Sequence, residues 1–173
     1  MINPLNQIDS SIHCNAPYSR KSIQKAYSML AFQQRPTALL TLTVKEPKGK
    51  HGGWLVSDSK LLSSANLLLR WVNAELYGRK FQKRGLGLEG FGSLEKQSNS
   101  QPHIHLAITS AMPPKRFTKM KSSILSKIEK LPLFEKSGID VQLIGNSDAD
   151  SWRVGNYVAK EGNMLTLTGG GIA

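Results

Sequence analysis

The sequence predicts an α+β fold: an antiparallel sheet with helices packed on it. Three observations predict it. Short apolar segments, several rich in β-branched residues, read as strands. Stretches with helical spacing separate those strands along the chain. Two of the strands are joined by a polar turn too short to hold a helix, so they pair as a hairpin.

The elements follow in order. Residues 1–19 are polar and irregular, with Pro4 and Pro17, and read as an arm. Over 19–34, Ile23, Ala26, Tyr27, Leu30 and Ala31 recur at helical spacing, Ser22 offers a cap, and Pro36 ends the helix. Residues 38–44, Ala-Leu-Leu-Thr-Leu-Thr-Val, form a strand. A basic, glycine-rich loop over 47–53 follows, holding Lys48 and Lys50. Asp58 or Ser59 caps a helix to Tyr77, with Leu61, Leu62, Ala65, Leu68, Leu69, Val72 and Leu76 as its buried stripe. Arg79, Lys80, Lys83 and Arg84 make a basic turn. Residues 86–96 read as a glycine-containing strand, 97–101 as its turn, and 103–109 as the returning strand. Pro113 and Pro114 open a helix to about 130 that carries Lys115, Arg116 and Lys119. A strand over 139–144 and a helix over 149–161, capped by Asp148 or Asp150, complete the set.

The order β-α-β-β-α-β-α fits a ferredoxin-like antiparallel sheet with its helices on one face. The expected organisation is an arm and basic helix at 1–36, one domain at 37–165 and a flexible tail at 166–173.

Composition narrows the function classes. A net charge of +11 favours a polyanionic partner. The apolar runs are too short to span a membrane, so no membrane partner is expected. No basic-then-apolar signal opens the chain, and the lone Cys14 forms no internal disulfide; a reducing cytoplasm is the expected location.

The chemistry-bearing residues lie on the hairpin and the final helix. In Pro102-His103-Ile104-His105-Leu106-Ala107-Ile108, strand alternation puts both imidazoles on one face and the aliphatic residues on the other. Paired imidazoles are poor core residues and good metal ligands. A third ligand is expected across the hairpin, where the odd-numbered residues share a face. Glu95 ranks first because it falls opposite or diagonal to His103; Glu89 has the same parity but lies further from the turn. Gly90 and Gly92 are expected to leave the sheet surface open to substrate.

Other His-x-His chemistries fit worse. Zinc hydrolases would want an Asp and a further His just downstream, nucleotidyl transferases a His at Ala107, and two-histidine phosphoesterases a repeated His-x-Thr or His-x-Ser. On the final helix, Tyr157 has Arg153 one turn before it and Lys160 one turn after. Such cations favour the phenolate of a residue that is otherwise protonated at neutral pH. Tyr18, Tyr27 and Tyr77 read as packing residues, as do Trp54 and Trp152, with base stacking the alternative for the two tryptophans.

These segments resemble the HUH endonucleases, specifically their replication-initiator (Rep) branch. Leu40-Thr41-Leu42-Thr43-Val44 resembles the first-strand motif. Glu95 with Gln101-Pro102-His103-Ile104-His105-Leu106 resembles the metal strand and its carboxylate. Asn156-Tyr157-Val158-Ala159-Lys160 is similar to the Tyr-x-x-Lys motif. The tyrosine follows the histidines, as in Rep and unlike relaxases. The resemblance, over about 37–162, implies a palm-like sheet and a Mg²⁺ or Mn²⁺ site held by His103, His105 and Glu95. It further implies nicking and strand transfer on single-stranded or hairpin DNA through a 5′-phosphotyrosine link at Tyr157, with Lys160 assisting.

Lys48, Lys50, Arg79, Lys80, Lys83, Arg84, Lys115, Arg116, Lys119 and Arg153 are the expected phosphate contacts. A single motif tyrosine argues against handover to a second one, and with no phosphate-binding Gly-x-x-x-x-Gly-Lys-Ser/Thr loop in the sequence, a helicase is expected from a partner or from a further part of the chain. Rolling-circle initiation for a plasmid, phage or mobile element is the implied role. The alternatives are a non-catalytic origin- or hairpin-binding module, or a nickase aimed at a competing element.

Overall fold

The computed structural model describes residues 19–45, 56–96, 101–159 and 164–172. Strand β1 (Ala38–Val44) is buried along its whole length, as suits an interior strand flanked by β-strands on both sides. Leu40, Leu42 and Val44 point into one core, Leu39 into another. Complete burial of each such leucine contributes roughly 2 kcal/mol.

The first core lies beneath two helices. Helix α2 (Asp58–Tyr77) supplies Leu61, Ala65, Leu68, Leu69 and Val72, and α3 (Pro114–Lys127) supplies Met120 and Ile124. The second core lies on the opposite face. There α1 (Arg20–Gln34) brings Tyr27 and Ala31, and α4 (Asp148–Val158) brings Val154 and Val158. The expectation of helices on one face is therefore corrected: each face carries two. The odd-numbered Leu39 and Ala107, together with Phe91, form an apolar platform that only further helices can cover.

Among the described residues the sheet has six strands in the order β4-β1-β3-β2-β5-β6, and every pairing is antiparallel. These strands are β2 (Gly90–Glu95), β3 (His103–Ile108), β4 (Phe134–Leu143), β5 (Met164–Thr168) and β6 (Gly171–Ile172). Strand β3 is inserted between β1 and β2, which α2 connects in parallel.

Three details depart from the sequence expectations. The caps are serines just ahead of the acidic or later residues expected: the hydroxyls of Ser19, Ser57 and Ser147 accept from the N–H groups of Ser22, Lys60 and Asp150. The chain after 165 forms β5 and β6 in place of the expected flexible tail; Asn66 secures β6 through both the N–H and the carbonyl of Ile172. Strand β4 starts at Phe134, well before 139, because a strand at the sheet's edge tolerates the polar run Glu135-Lys136-Ser137.

The basic helix α1, set apart from 37–165 in sequence, packs tightly on α4. A Cβ on Gly155 would stand 2.5 Å from Ser28 Cα and 2.9 Å from the Tyr27 carbonyl, so only glycine permits this approach. Beside it the Ser28 hydroxyl donates to Asn156 at 2.6 Å. That contact fixes the turn of α4 that holds Tyr157.

Candidate functional site

One end of the second sheet face is left open by α1 and α4, and its residues are polar. Register builds it in rows. Thr41 stands opposite His105 and Thr43 opposite His103. On the other side of β3, Ser93 stands opposite His105 and Glu95 opposite His103. Across β1, Asp140 of β4 stands opposite Thr41. Strand alternation sends all of these side chains to one face. All of them except the buried Ser93 line a cleft of about 420 Å³ together with Ser137, Gly138, Ile139 and Tyr157.

Each imidazole is held. His105 is 1% exposed, with Nε2 3.0 Å from Glu95 Oε2 and Nδ1 3.0 Å from Thr41 Oγ1. His103 Nδ1 lies 3.0 Å from Thr43 Oγ1. The two rings stack with centroids 5.8 Å apart. Tyr157, on the last turn of α4, meets His105 edge-on at 4.6 Å between centroids.

Three segments that read as functional in the sequence thus converge: the histidine strand, Glu95 and Tyr157. Of the two positions expected for Glu95, opposite or diagonal to His103, the register gives the opposite one, and its carboxylate bonds to the diagonal neighbour His105. Glu89 is at the opposite end of the hairpin, beside Thr109 and Leu167, and does not reach this cleft. Gly90 and Gly92 do not open the site face. They alternate with Leu94 toward the α2/α3 side, where a Cβ would meet β3 carbonyl oxygens at 2.0 and 2.2 Å.

Among the described residues, no three His, Cys, Asp or Glu side chains converge as a ready cation cage. The donors nonetheless fit a divalent cation in type. Adjacent ligands of an octahedral ion at about 2.1 Å lie roughly 3.0 Å apart, which matches the His105–Glu95 separation. Two imidazoles and a carboxylate suit Mn²⁺ better than the oxygen-seeking Mg²⁺.

Tyr27 and Tyr77 serve packing, and Tyr18 lies outside the described residues. Tyr27 is 3% exposed, donates to the Gly92 carbonyl at 3.2 Å, and has its pKa pushed upward by burial. Burial also raises the pKa of Tyr77, against the opposing charge of the Arg116 guanidinium over its ring. Trp152 packs on Phe32 and remains partly exposed.

The basic residues divide by place. Lys48, Lys50, Lys160 and Trp54 lie outside the described residues. Arg153 lines a small hollow beside Tyr157 with Leu39 and Gln142, and pairs with Asp150 at 3.0 Å. Arg79, Lys80, Lys83 and Arg84 follow α2, and Lys115, Arg116 and Lys119 begin α3. Both groups lie at the sheet end marked by Ala38, Gly90 and Ile108, on the face away from the cleft.

Sequence reasoning missed the roles of Thr41, Thr43 and Asp140. The alternation of Thr with Leu in β1 was a usable signal for the first two. Asp140 joins the site only through the pairing of β4 with β1, which no local pattern announces. No protein-family model, curated protein or solved structure matches this chain.

Proposed function

We propose that this chain is a metal-dependent, site-specific DNA nickase and strand transferase of the HUH, Rep type. One observation carries the proposal: Tyr157 lies edge-on against His105 in the same cleft as His103 and Glu95. Support for a palm-like, ferredoxin-related fold comes from the β4-β1-β3-β2 order, with β3 splitting the β1-α2-β2 crossover.

His103, His105 and Glu95 would hold Mn²⁺ or Mg²⁺. The cation would supply charge neutralisation at the scissile phosphate. Tyr157 gives up its phenolic proton to solvent, which in turn protonates the leaving oxygen, and the tyrosine oxygen attacks phosphorus. A phosphotyrosine bond forms as the bond to the 3′ oxygen breaks, and that oxygen leaves as a 3′-hydroxyl after taking up a proton. The 5′ end stays on the protein, so religation or transfer needs no outside energy. Arg153 and Lys160 flank the tyrosine in sequence and would pair with the phosphate. The substrate is single-stranded or hairpin DNA, a separate helicase opens the duplex, and the protein works in the cytoplasm. Initiation of rolling-circle replication is the role this chemistry serves best.

A second reading, a DNA-binding module without catalysis, is favoured by the direct His105–Glu95 hydrogen bond, which satisfies both groups without a cation. Incubation with labelled single-stranded oligonucleotides containing the origin, with Mn²⁺ or EDTA, separates the two. Nicking predicts a metal-dependent covalent adduct that Tyr157→Phe abolishes. Tight, metal-independent binding with no adduct would establish the binding module.

A further inference from the structure

We infer that Thr43 and Gly138 are positioning residues that set the tautomer of His103 and so aim its Nε2 lone pair away from the strand pair that holds Nδ1. The inference rests on the metal site proposed above and goes beyond it, to residues outside the proposed ligand set.

The hydrogen positions follow from the acceptors. Thr43 Oγ1 lies 2.6 Å from the Gly138 carbonyl oxygen. A carbonyl only accepts, so the single hydroxyl proton of Thr43 is committed there. Thr43 Oγ1 also lies 3.0 Å from His103 Nδ1 and can only accept in that contact. His103 must therefore carry its proton on Nδ1, and in the neutral ring the lone pair is on Nε2.

The fold supplies the committing carbonyl. Strand β4 bulges against β1 between the Leu42–Ile139 and Val44–Phe134 pairs, and the bulge brings Gly138 against Thr43. A Cβ on Gly138 would meet Thr43 Cβ at 2.5 Å and Oγ1 at 2.7 Å, so only glycine lets the hydroxyl reach that carbonyl. Thr43 is 7% exposed, so water competes poorly for its proton. Fixing the tautomer of a ligand histidine through its other nitrogen is a recurrent control on metal affinity.

The test begins without metal. Long-range proton–nitrogen NMR on ¹⁵N-histidine-labelled full chain, assigned with His103→Gln, should show His103 protonated at Nδ1 and not at Nε2. Thr43→Val keeps the side-chain shape and removes the acceptor; it should move the proton toward Nε2 and weaken Mn²⁺ binding, read by titration calorimetry, by about 10–100-fold. Thr43→Ser should restore both readouts, and Gly138→Ala should reproduce the Thr43→Val result. A wild-type His103 protonated at Nε2, or a Thr43→Val protein with unchanged tautomer and affinity, would overturn the inference. If the wild type bound no Mn²⁺, the metal site itself would fall, while the metal-free spectra would still decide whether Thr43 sets the tautomer.

Discussion

A carboxylate 3.0 Å from a buried imidazole can be a ligand pair or a structural ion pair, and Glu95→Gln distinguishes them. As a ligand, Glu95 is worth more than the groups behind a ligand, so Glu95→Gln should weaken Mn²⁺ binding by roughly tenfold or more. The amide oxygen still accepts from His105 Nε2–H, so stability should change little. An unchanged Mn²⁺ isotherm with a large loss in urea stability would mark a structural pair. This pair is legible in the sequence, because strand parity fixes faces and a short hairpin limits register to a few choices. Asp140 is not legible there: the partner of a strand is chosen by the whole sheet. The caps are ambiguous because Ser and Asp serve almost equally well, so a Ser before an Asp leaves two candidates.

Helix α1 controls Tyr157 from behind, through the close approach at Gly155 and the Ser28–Asn156 hydrogen bond. Gly155→Ala forces the two helices apart and should cost about 1–3 kcal/mol in chemical denaturation. Nicking should slow by more than the lost folded fraction, because the displaced turn carries the nucleophile; unaltered single-turnover rates would show that α4 is placed by the sheet alone. On the other face, Glu75 of α2 accepts from Ser123 and pairs with Lys127 of α3. The Lys127 ammonium, then the Ser123 hydroxyl, hold its carboxyl below the ordinary carboxylate value. The unfolded chain therefore binds this proton more readily. The stabilisation is complete above the ordinary carboxylate range and is lost as pH falls through the lowered value. The pair is more than a third exposed on its acidic side, so Glu75→Gln should cost no more than about 1 kcal/mol at neutral pH. Urea melts of the two proteins should converge in acid; a constant gap would mean that charge is not the cause.

Across the molecule, the cleft and the main basic clusters lie at opposite ends of the sheet. Five strand residues at about 3.4 Å each give roughly 17 Å between the His103 and Ile108 ends, before the thickness of the helix layer is added. The cations at 79–84 and 115–119 therefore suit a segment of DNA other than the one cut. Lys83→Glu with Arg84→Glu should weaken binding of a long origin substrate and reduce its salt slope by about one to two. Single-turnover cleavage of a short oligonucleotide should be unchanged; an equal loss on both substrates would place these cations on the scissile strand. The order of helices and strands is readable from hydrophobic period, and the hairpin from its turn. The division of helices between the two faces is not, because it depends on which strands the central pair recruits. The measurement that bears most directly on the proposed nickase is peptide mapping by mass spectrometry after incubation with Mn²⁺ and an origin oligonucleotide. The account predicts a nucleotide-modified peptide bearing its phosphate on Tyr157. A modification at another residue, or cleaved DNA with every peptide unmodified, would contradict it.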